Sequence, residues 1–252
     1  SEMGWLFVRY LKLTLAYDGS AYHGFQRQKN AIGIQQIVEK ALSKMFGEEI
    51  KIAASGRTDT GVHAHAQVIS FATSGTVPTD KIVQAMSSYL PEDIVVWKAE
   101  EVTADFNARY SALAKRYVYR ILITEAVNPF ERNYTWQFKK MPDLSLMQAA
   151  ADVIIGEHDF SAFRSAGSAP VKTIKNIYKA DWTKKNEQEL LFTIEGDGFL
   201  YHMVRNLVGA MVRVGNGKIS LERFKEIFAS GDRRQAGTAA PPQGLYLDEV
   251  FY

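Results

Sequence analysis

Leu11, Leu13, Leu15 and Tyr17 alternate with Lys12, Thr14 and Ala16, the period-two pattern of a strand with one buried face. Ile34, Ile37, Val38, Ala41, Leu42, Met45 and Phe46 then recur at helical spacing, and Gly47 closes the stripe. The pattern predicts strands over 50–52, 67–71 and 94–97, and a helix over 79–90 stopped by Pro91. The order is β-α-β-β-α-β, the ferredoxin-like unit.

The second half repeats that order. Tyr117, Tyr119, Ile121 and Ile123 alternate as a strand. Leu144, Met147, Ala151, Ile154 and Ile155 form a helical stripe, with Asp143 as its N-cap and Gly156 just past its end. Strands are expected over 171–182 and 189–195, joined by the polar turn Lys184-Lys185-Asn186-Glu187. A long helix over 200–214, a short one over 221–228 and a last strand over 245–251 complete the repeat. The first strands start near positions 9 and 114, an offset of 105 that grows downstream. This is a repeat of topology with insertions, not a solenoid array. The expected fold is α+β: two tandem ferredoxin-like β-α-β-β-α-β halves with antiparallel sheets. Residues 1–108 and 109–252 form the halves, with a catalytic cleft between them.

Composition narrows the picture. Thirty Lys and Arg against 28 Asp and Glu leave a formal charge of +2, too balanced for a wholesale polyanion binder. A nucleic-acid partner therefore needs a locally basic surface. The chain has no cysteine, which removes disulfides, thiol nucleophiles, iron–sulfur clusters and cysteine-based zinc sites, and suits a reducing compartment. No apolar run approaches the ~18 residues of a membrane helix. Trp5-Leu6-Phe7-Val8 is too short for a signal-peptide core, and Ser1-Glu2 ahead of Met3 reads as a cloning remnant. The expectation is a soluble, cytoplasmic protein.

Ser55-Gly56-Arg57-Thr58-Asp59-Thr60-Gly61-Val62-His63-Ala64-His65 falls between two predicted strands, with a glycine on each side of Asp59. As architecture, Asp59-Thr60-Gly61 is a tight turn in which the glycine supplies positive φ. As chemistry, it offers one carboxylate nucleophile. A homodimer would instead supply two such carboxylates, the shared-proton dyad of an aspartic protease. Arg57 opposes that dyad, because a neighbouring cation keeps both carboxylates ionised. His63 and His65 share a strand face and would suit one metal only with help from distant carboxylates. A polar strand end is the plainer reading, and no metal is expected.

Lys115-Arg116-Tyr117-Val118-Tyr119-Arg120 puts Tyr117 and Tyr119 on one strand face, and Arg116, Val118 and Arg120 on the other. Residues 109–140 hold seven cations against Glu125 and Glu131, and residues 164–185 hold six against Asp181. Aromatics stack nucleobases and cations track phosphates; a solvated strand face above an aromatic core gives the same pattern. Gly196-Asp197-Gly198 before a helix is a partial phosphate cradle, without a third glycine or a Walker lysine. Arg205 stands off the buried stripe of that helix, one turn below Tyr201.

Several segments, in order and over nearly the whole chain, resemble the tRNA pseudouridine synthase A (TruA) family. They are Tyr17-Asp18-Gly19, Gly24-Phe25-Gln26-Arg27-Gln28, the string from Gly56 to Ala64, Lys115-Arg116-Tyr117-Val118-Tyr119, Gly198-Phe199-Leu200-Tyr201-His202-Met203-Val204-Arg205-Asn206, and residues 241–247. The resemblance implies isomerisation of uridine to pseudouridine at positions 38 to 40 of the tRNA anticodon stem-loop. It implies no metal, no organic cofactor, and a homodimer in which one tRNA touches both subunits. By the same resemblance Asp59 is the catalytic nucleophile, Arg205 its partner and Tyr117 the aromatic against the target base. Arg57 helps the nucleotide leave its stack, and Gln26, Arg27, Gln28 and Leu245 are substrate contacts. Phe25 stands where an indole is common in the family. The rival readings are a synthase of the same family acting on other tRNA positions, and a non-catalytic RNA-binding or chaperone module.

Overall fold

The computed structural model describes residues 7–252; the Trp5-Leu6 end of the first apolar run and Ser1-Glu2 lie outside the described residues. The chain forms two compact units. One reaches Leu113 and takes in Leu247–Tyr252 as well, and the other is Ala114–Tyr246.

The first unit holds β1 (Arg9–Tyr17), α1 (Ile34–Phe46), β2 (Ala53–Ala54), β3 (His63–Thr73), α2 (Thr79–Met86) and β4 (Ile94–Glu101). β1 lies between β3 and β4, antiparallel to both, and β2 pairs with the other edge of β3. The order β4-β1-β3-β2 is that of the ferredoxin-like unit. Leu11, Leu13, Leu15 and Tyr17 are buried in strict alternation, as their spacing predicts. Ile34, Val38, Ala41 and Leu42 form the buried stripe of α1, which ends on Gly47 at φ 69°, a left-handed conformation that suits glycine. β3 carries a bulge, because Leu15 faces Gln67 while Tyr17 faces Ala64.

Two expectations fail here for local reasons. Residues 50–52 alternate but form no strand. Ser43 Oγ accepts from Ile50 N–H at 2.9 Å and Glu39 Oε1 from Ile52 N–H at 3.1 Å. Side chains of α1 thus take the donors a ladder would use, and pairing is confined to Ala53 and Ala54. α2 stops at Met86 instead of 90, since the next bonds tighten to three-residue spacing, Ser88 to Ala85 and Tyr89 to Met86.

The second unit holds β5 (Ala114–Ile123), β6 (Trp136–Phe138), α3 (Leu144–Val153), β7 (Gly156–Asp159), β8 (Ile174–Lys184), β9 (Glu189–Gly196), α4 (Met203–Gly215) and α5 (Leu221–Ser230). Its sheet runs β5-β9-β8-β7, antiparallel throughout, with β6 parallel to β5. A final strand, β10 (Leu245–Phe251), follows. The chain order β5-α3-β8-β9-α4-β10 is a second β-α-β-β-α-β, so the fold is α+β with two tandem ferredoxin-like halves. β6 and β7 are additions of three and four residues, too short for periodicity to announce. Asp143 caps α3 by accepting from Leu146 N–H at 3.1 Å. No helix among the described residues is long and apolar enough to cross a membrane.

α4 starts at Met203 instead of 200, because His202 takes φ 60° and serves as its N-cap. The helix is buried almost all round, and Gly209 lets residues 238–240 cross it: a Cβ there would meet Thr238 O at 2.3 Å. Gly209→Ala is therefore expected to destabilise the protein by about 1–3 kcal/mol. Urea denaturation checks this, and an unchanged midpoint would refute the close crossing.

Candidate functional site

The string around Asp59 leaves the sheet between β2 and β3, so its backbone cannot be satisfied by a ladder. Gln67 supplies the substitute. Its buried amide donates from Nε2 to Gly56 O at 2.9 Å, and its Oε1 accepts from Ser55 Oγ at 2.5 Å and from Val68 N–H at 3.1 Å. Ser55 N–H reaches Val68 O at 2.9 Å. Thr58 is buried, sharing a 2.6 Å hydrogen bond with Tyr17 OH, and its carbonyl accepts Phe25 N–H at 3.0 Å. Asp59 O accepts Val62 N–H at 3.0 Å with Gly61 at φ 80°, which is the predicted tight turn. The string thus presents exposed Arg57, buried Thr58, half-buried Asp59 and exposed Thr60 in succession.

Two glycines permit this packing. A Cβ on Gly24 would lie 2.9 Å from Thr58 O, at φ +79°, and one on Gly19 would meet Val62 O at 2.0 Å. Gly19 N–H donates to His63 Nδ1 at 2.9 Å, which makes Nδ1 the accepting nitrogen of that ring. His63 is buried, whereas His65 is largely exposed and sits 2.9 Å from Asp248. The two histidines therefore serve different partners. Among the described residues no group of three potential ligands forms a metal site.

Gln26, Arg27 and Gln28 are exposed. Arg27 pairs with the buried carboxylate of Glu39, and Gln28 Nε2 donates to His23 O at 2.8 Å. Phe25 is buried beside Tyr17, with ring centroids 6.1 Å apart, so it belongs to the core.

In the second unit, Tyr117 and Tyr119 are buried on one face of β5, as the alternation predicts. The Tyr117 ring meets Phe199 edge-on at 5.0 Å. Tyr119 OH donates to Pro241 O at 2.7 Å, and its ring lies where a Cβ on Gly244 would fall. Burial pushes the Tyr119 phenol well above its ordinary range, and the charge of Arg205 opposes the shift. Arg205 Nε donates to Ala240 O at 2.8 Å while its own carbonyl accepts Ala240 N–H at 2.9 Å. Leu245 is buried at the start of β10.

The basic windows are less free than their composition suggests. Arg116 pairs with Glu195 across the β5–β9 ladder. Arg120 bonds Glu189 Oε1 at 2.7 Å and approaches Glu131 and the Tyr246 hydroxyl. Lys184 and Lys185 pair with Glu187 and Glu189. At the partial phosphate cradle, a Cβ on Gly198 would lie 3.5 Å from Lys175 Nζ. The sequence assigned no role to Gln67, Asn206 or Arg233. A lone glutamine inside the apolar run of β3 was the one signal available.

The family model described as tRNA pseudouridine synthase matches residues 14–111 and 150–252. The chain is 46% identical over 246 residues to tRNA pseudouridine synthase A of Thermoanaerobacter sp. (strain X514), covering 97% of this chain and 100% of that one. Its identity to tRNA pseudouridine synthase A of Lacticaseibacillus casei (strain BL23) is 43% over 249 residues, with 97% and 100% covered. Among solved structures, similarity to a Cbf5-Nop10-Gar1 complex reaches a TM-score of 0.39 at 12% identity, covering 80% of this chain and 44% of that chain.

Burial raises the pKa of the Tyr17 phenol, so the folded state holds a proton that the unfolded chain releases near its ordinary value of about 10. Below that pH this group leaves stability untouched. Above it the unfolded state binds fewer protons and stability falls by about 1.4 kcal/mol per pH unit. Tyr17→Phe is expected to cost about 0.5–1.5 kcal/mol at pH 7 by losing the Thr58 bond. It should also flatten the alkaline fall by about one proton. Urea unfolding between pH 8 and 11 checks both; a slope equal to wild type would contradict the assignment.

Proposed function

This chain belongs to the tRNA pseudouridine synthase family, whose members are isomerases, and from that premise we propose that it converts uridine to pseudouridine at positions 38 to 40 of the tRNA anticodon stem-loop, with Asp59 as nucleophile. The observation that carries the reading is the string from Gly56 to Ala64. It holds a carboxylate on a loop whose neighbours are locked by Gln67, Tyr17 and Phe25.

The reaction breaks the ribose C1′–N1 bond, turns the base and joins C1′ to C5. The C5 proton leaves, N1 ends protonated, and nothing is oxidised or brought in from outside. One nucleophile has to hold the sugar or the base during the turn. With no cysteine in the chain, thiol attack on pyrimidine C6 is closed, and a carboxylate serves instead. By the family resemblance, Arg205 is the partner assigned to the Asp59 carboxylate in this proposal.

Unstacking the base costs a few kcal/mol, and stacking on Tyr117 returns ~1–3 kcal/mol. Arg57 helps the nucleotide leave, and Gln26, Arg27, Gln28 and Leu245 contact the RNA. The same reading makes the protein a cytoplasmic homodimer whose two subunits share one tRNA, with no metal or organic cofactor.

Tritium release from tRNA carrying [5-³H]uridine tests the reaction, because closing the new C–C bond expels that label. Wild type should release it, while Asp59→Asn binds tRNA nearly normally and releases none. Clear residual turnover in Asp59→Asn would end its assignment, and wild-type binding without release would make the protein a binding module.

Tyr117→Phe separates two roles of that side chain. If the hydroxyl helps remove the C5 proton, the single-turnover rate falls far more than tRNA affinity, in the range of 10²–10⁴-fold typical of proton transfer. Equal losses in rate and affinity would leave Tyr117 as a stacking platform only.

A further inference from the structure

Arg205 is held at both its backbone and its side chain by one residue, Ala240. Ala240 ends a strap, residues 231–240, that follows α5 and crosses the first turns of α4 at Gly209. The strap is fastened by Arg233. Its guanidinium donates from Nη1 to Gly237 O at 2.7 Å and from Nη2 to Asn206 Oδ1 at 2.8 Å. Asn206 follows Arg205 in the chain and is 1% exposed. Its amide hydrogens go to Phe163 O at 2.8 Å and Ser165 Oγ at 3.2 Å. Ser165 N–H in turn reaches Tyr201 O at 3.1 Å, in the turn that opens α4. Gly237, at φ +79°, packs on Arg213, whose Nη1 is buried with no hydrogen-bond partner. The fastening of this turn therefore falls to Arg233.

We infer that Arg233, acting through Asn206 and the strap, is a positioning residue that sets the guanidinium of Arg205 for the reaction. Both ends of the Arg205 side chain's constraint lead back to it. One path runs through the strap from Gly237 to Ala240 and Arg205 Nε, the other through Asn206 and the backbone of α4. A planar fork is what this position requires, because two neutral oxygens in different directions must be met at once. The inference rests on the role of Arg205 proposed above.

Single-turnover kinetics on [5-³H]uridine tRNA, run well below each variant's melting temperature, test it. Arg233→Met should lose about 10–100-fold in rate, the scale of a small misplacement, with tRNA affinity little changed. Arg233→Lys keeps one of the two bonds and should recover part of the loss. In an Arg205→Lys background the same Arg233→Met change should add nothing, because residues acting as a unit are not additive. Equal losses in both backgrounds, or a loss confined to affinity, would overturn the inference.

A second readout is independent of turnover. In protein labelled with [¹⁵N]arginine, the Nε–H signal missing from Arg205→Lys identifies Arg205. Arg233→Met and Arg233→Lys should shift or broaden it and speed its exchange with water. An unchanged signal overturns the inference whatever the rates do. A changed signal beside an Arg205→Lys variant as fast as wild type would sustain the positioning and remove the role proposed for Arg205.

Discussion

A loop that leaves a sheet with its backbone half buried must find hydrogen bonds that no ladder supplies, and in the first unit the Gln67 side chain answers that demand. Each buried polar group left unpaired would cost about 1–3 kcal/mol, more than one made bond returns. The glutamine occupies the strand position where β3 bulges, so its amide reaches Gly56 and Ser55 together. With those two residues fixed, Thr58 falls against Tyr17, its carbonyl meets Phe25, and the turn after Asp59 follows at Gly61. Gly19 and Gly24 are needed because the preceding loop passes within contact of this backbone, where a side chain would strike carbonyl oxygens.

The second unit meets the same demand from a helix. Arg205 cannot be held by its own helix alone, since a long side chain at an α4 surface keeps most of its rotamer freedom. The peptide of Ala240 removes that freedom by bonding both the Nε–H and the backbone carbonyl of one residue. Tyr119 ties the segment after the strap by its bond to Pro241, and Gly244 lets the turn approach the Tyr119 ring. His202, at φ 60°, begins α4 just two residues after Leu200, and it is the non-glycine residue of positive φ in the described chain. Strain at that point is held by the surrounding bonds at Ser165 and Asn206.

How much of this was legible in the sequence depends on the range of the forces involved. β1, α1, α3 and β10 were readable because alternation, helical stripes, Asp143 and Gly47 act within a few residues. The tight turn at Asp59 was readable for the same reason. Residues 50–52 misled because Glu39 and Ser43, about ten residues earlier, intercept their N–H groups. Gln67, Asn206 and Arg233 gave little away, since Gly56, Phe163 and Asn206, which they bond, lie 11, 43 and 27 residues away. The segments similar to the family drew attention to Asp59 and Arg205. They were silent on what holds either in place.

Charge was the property that composition misjudged most. Thirteen cations in two windows suggest a locally basic surface, yet Arg116, Arg120, Lys179, Lys184 and Lys185 pair with acids. Glu195 faces Arg116 directly, and Glu189 serves both Arg120 and Lys185 from the neighbouring strand. Arg120 is held further by the Tyr246 hydroxyl, so this guanidinium is a structural tie between β5 and the start of β10. A cation that already neutralises a carboxylate releases little counterion when a phosphate approaches. Arg57, Lys139, Lys140 and Lys172, by contrast, are exposed on loops and strand approaches. In a chain of net charge +2, the placement of the acids decides where a polyanion is welcome as much as the placement of the bases.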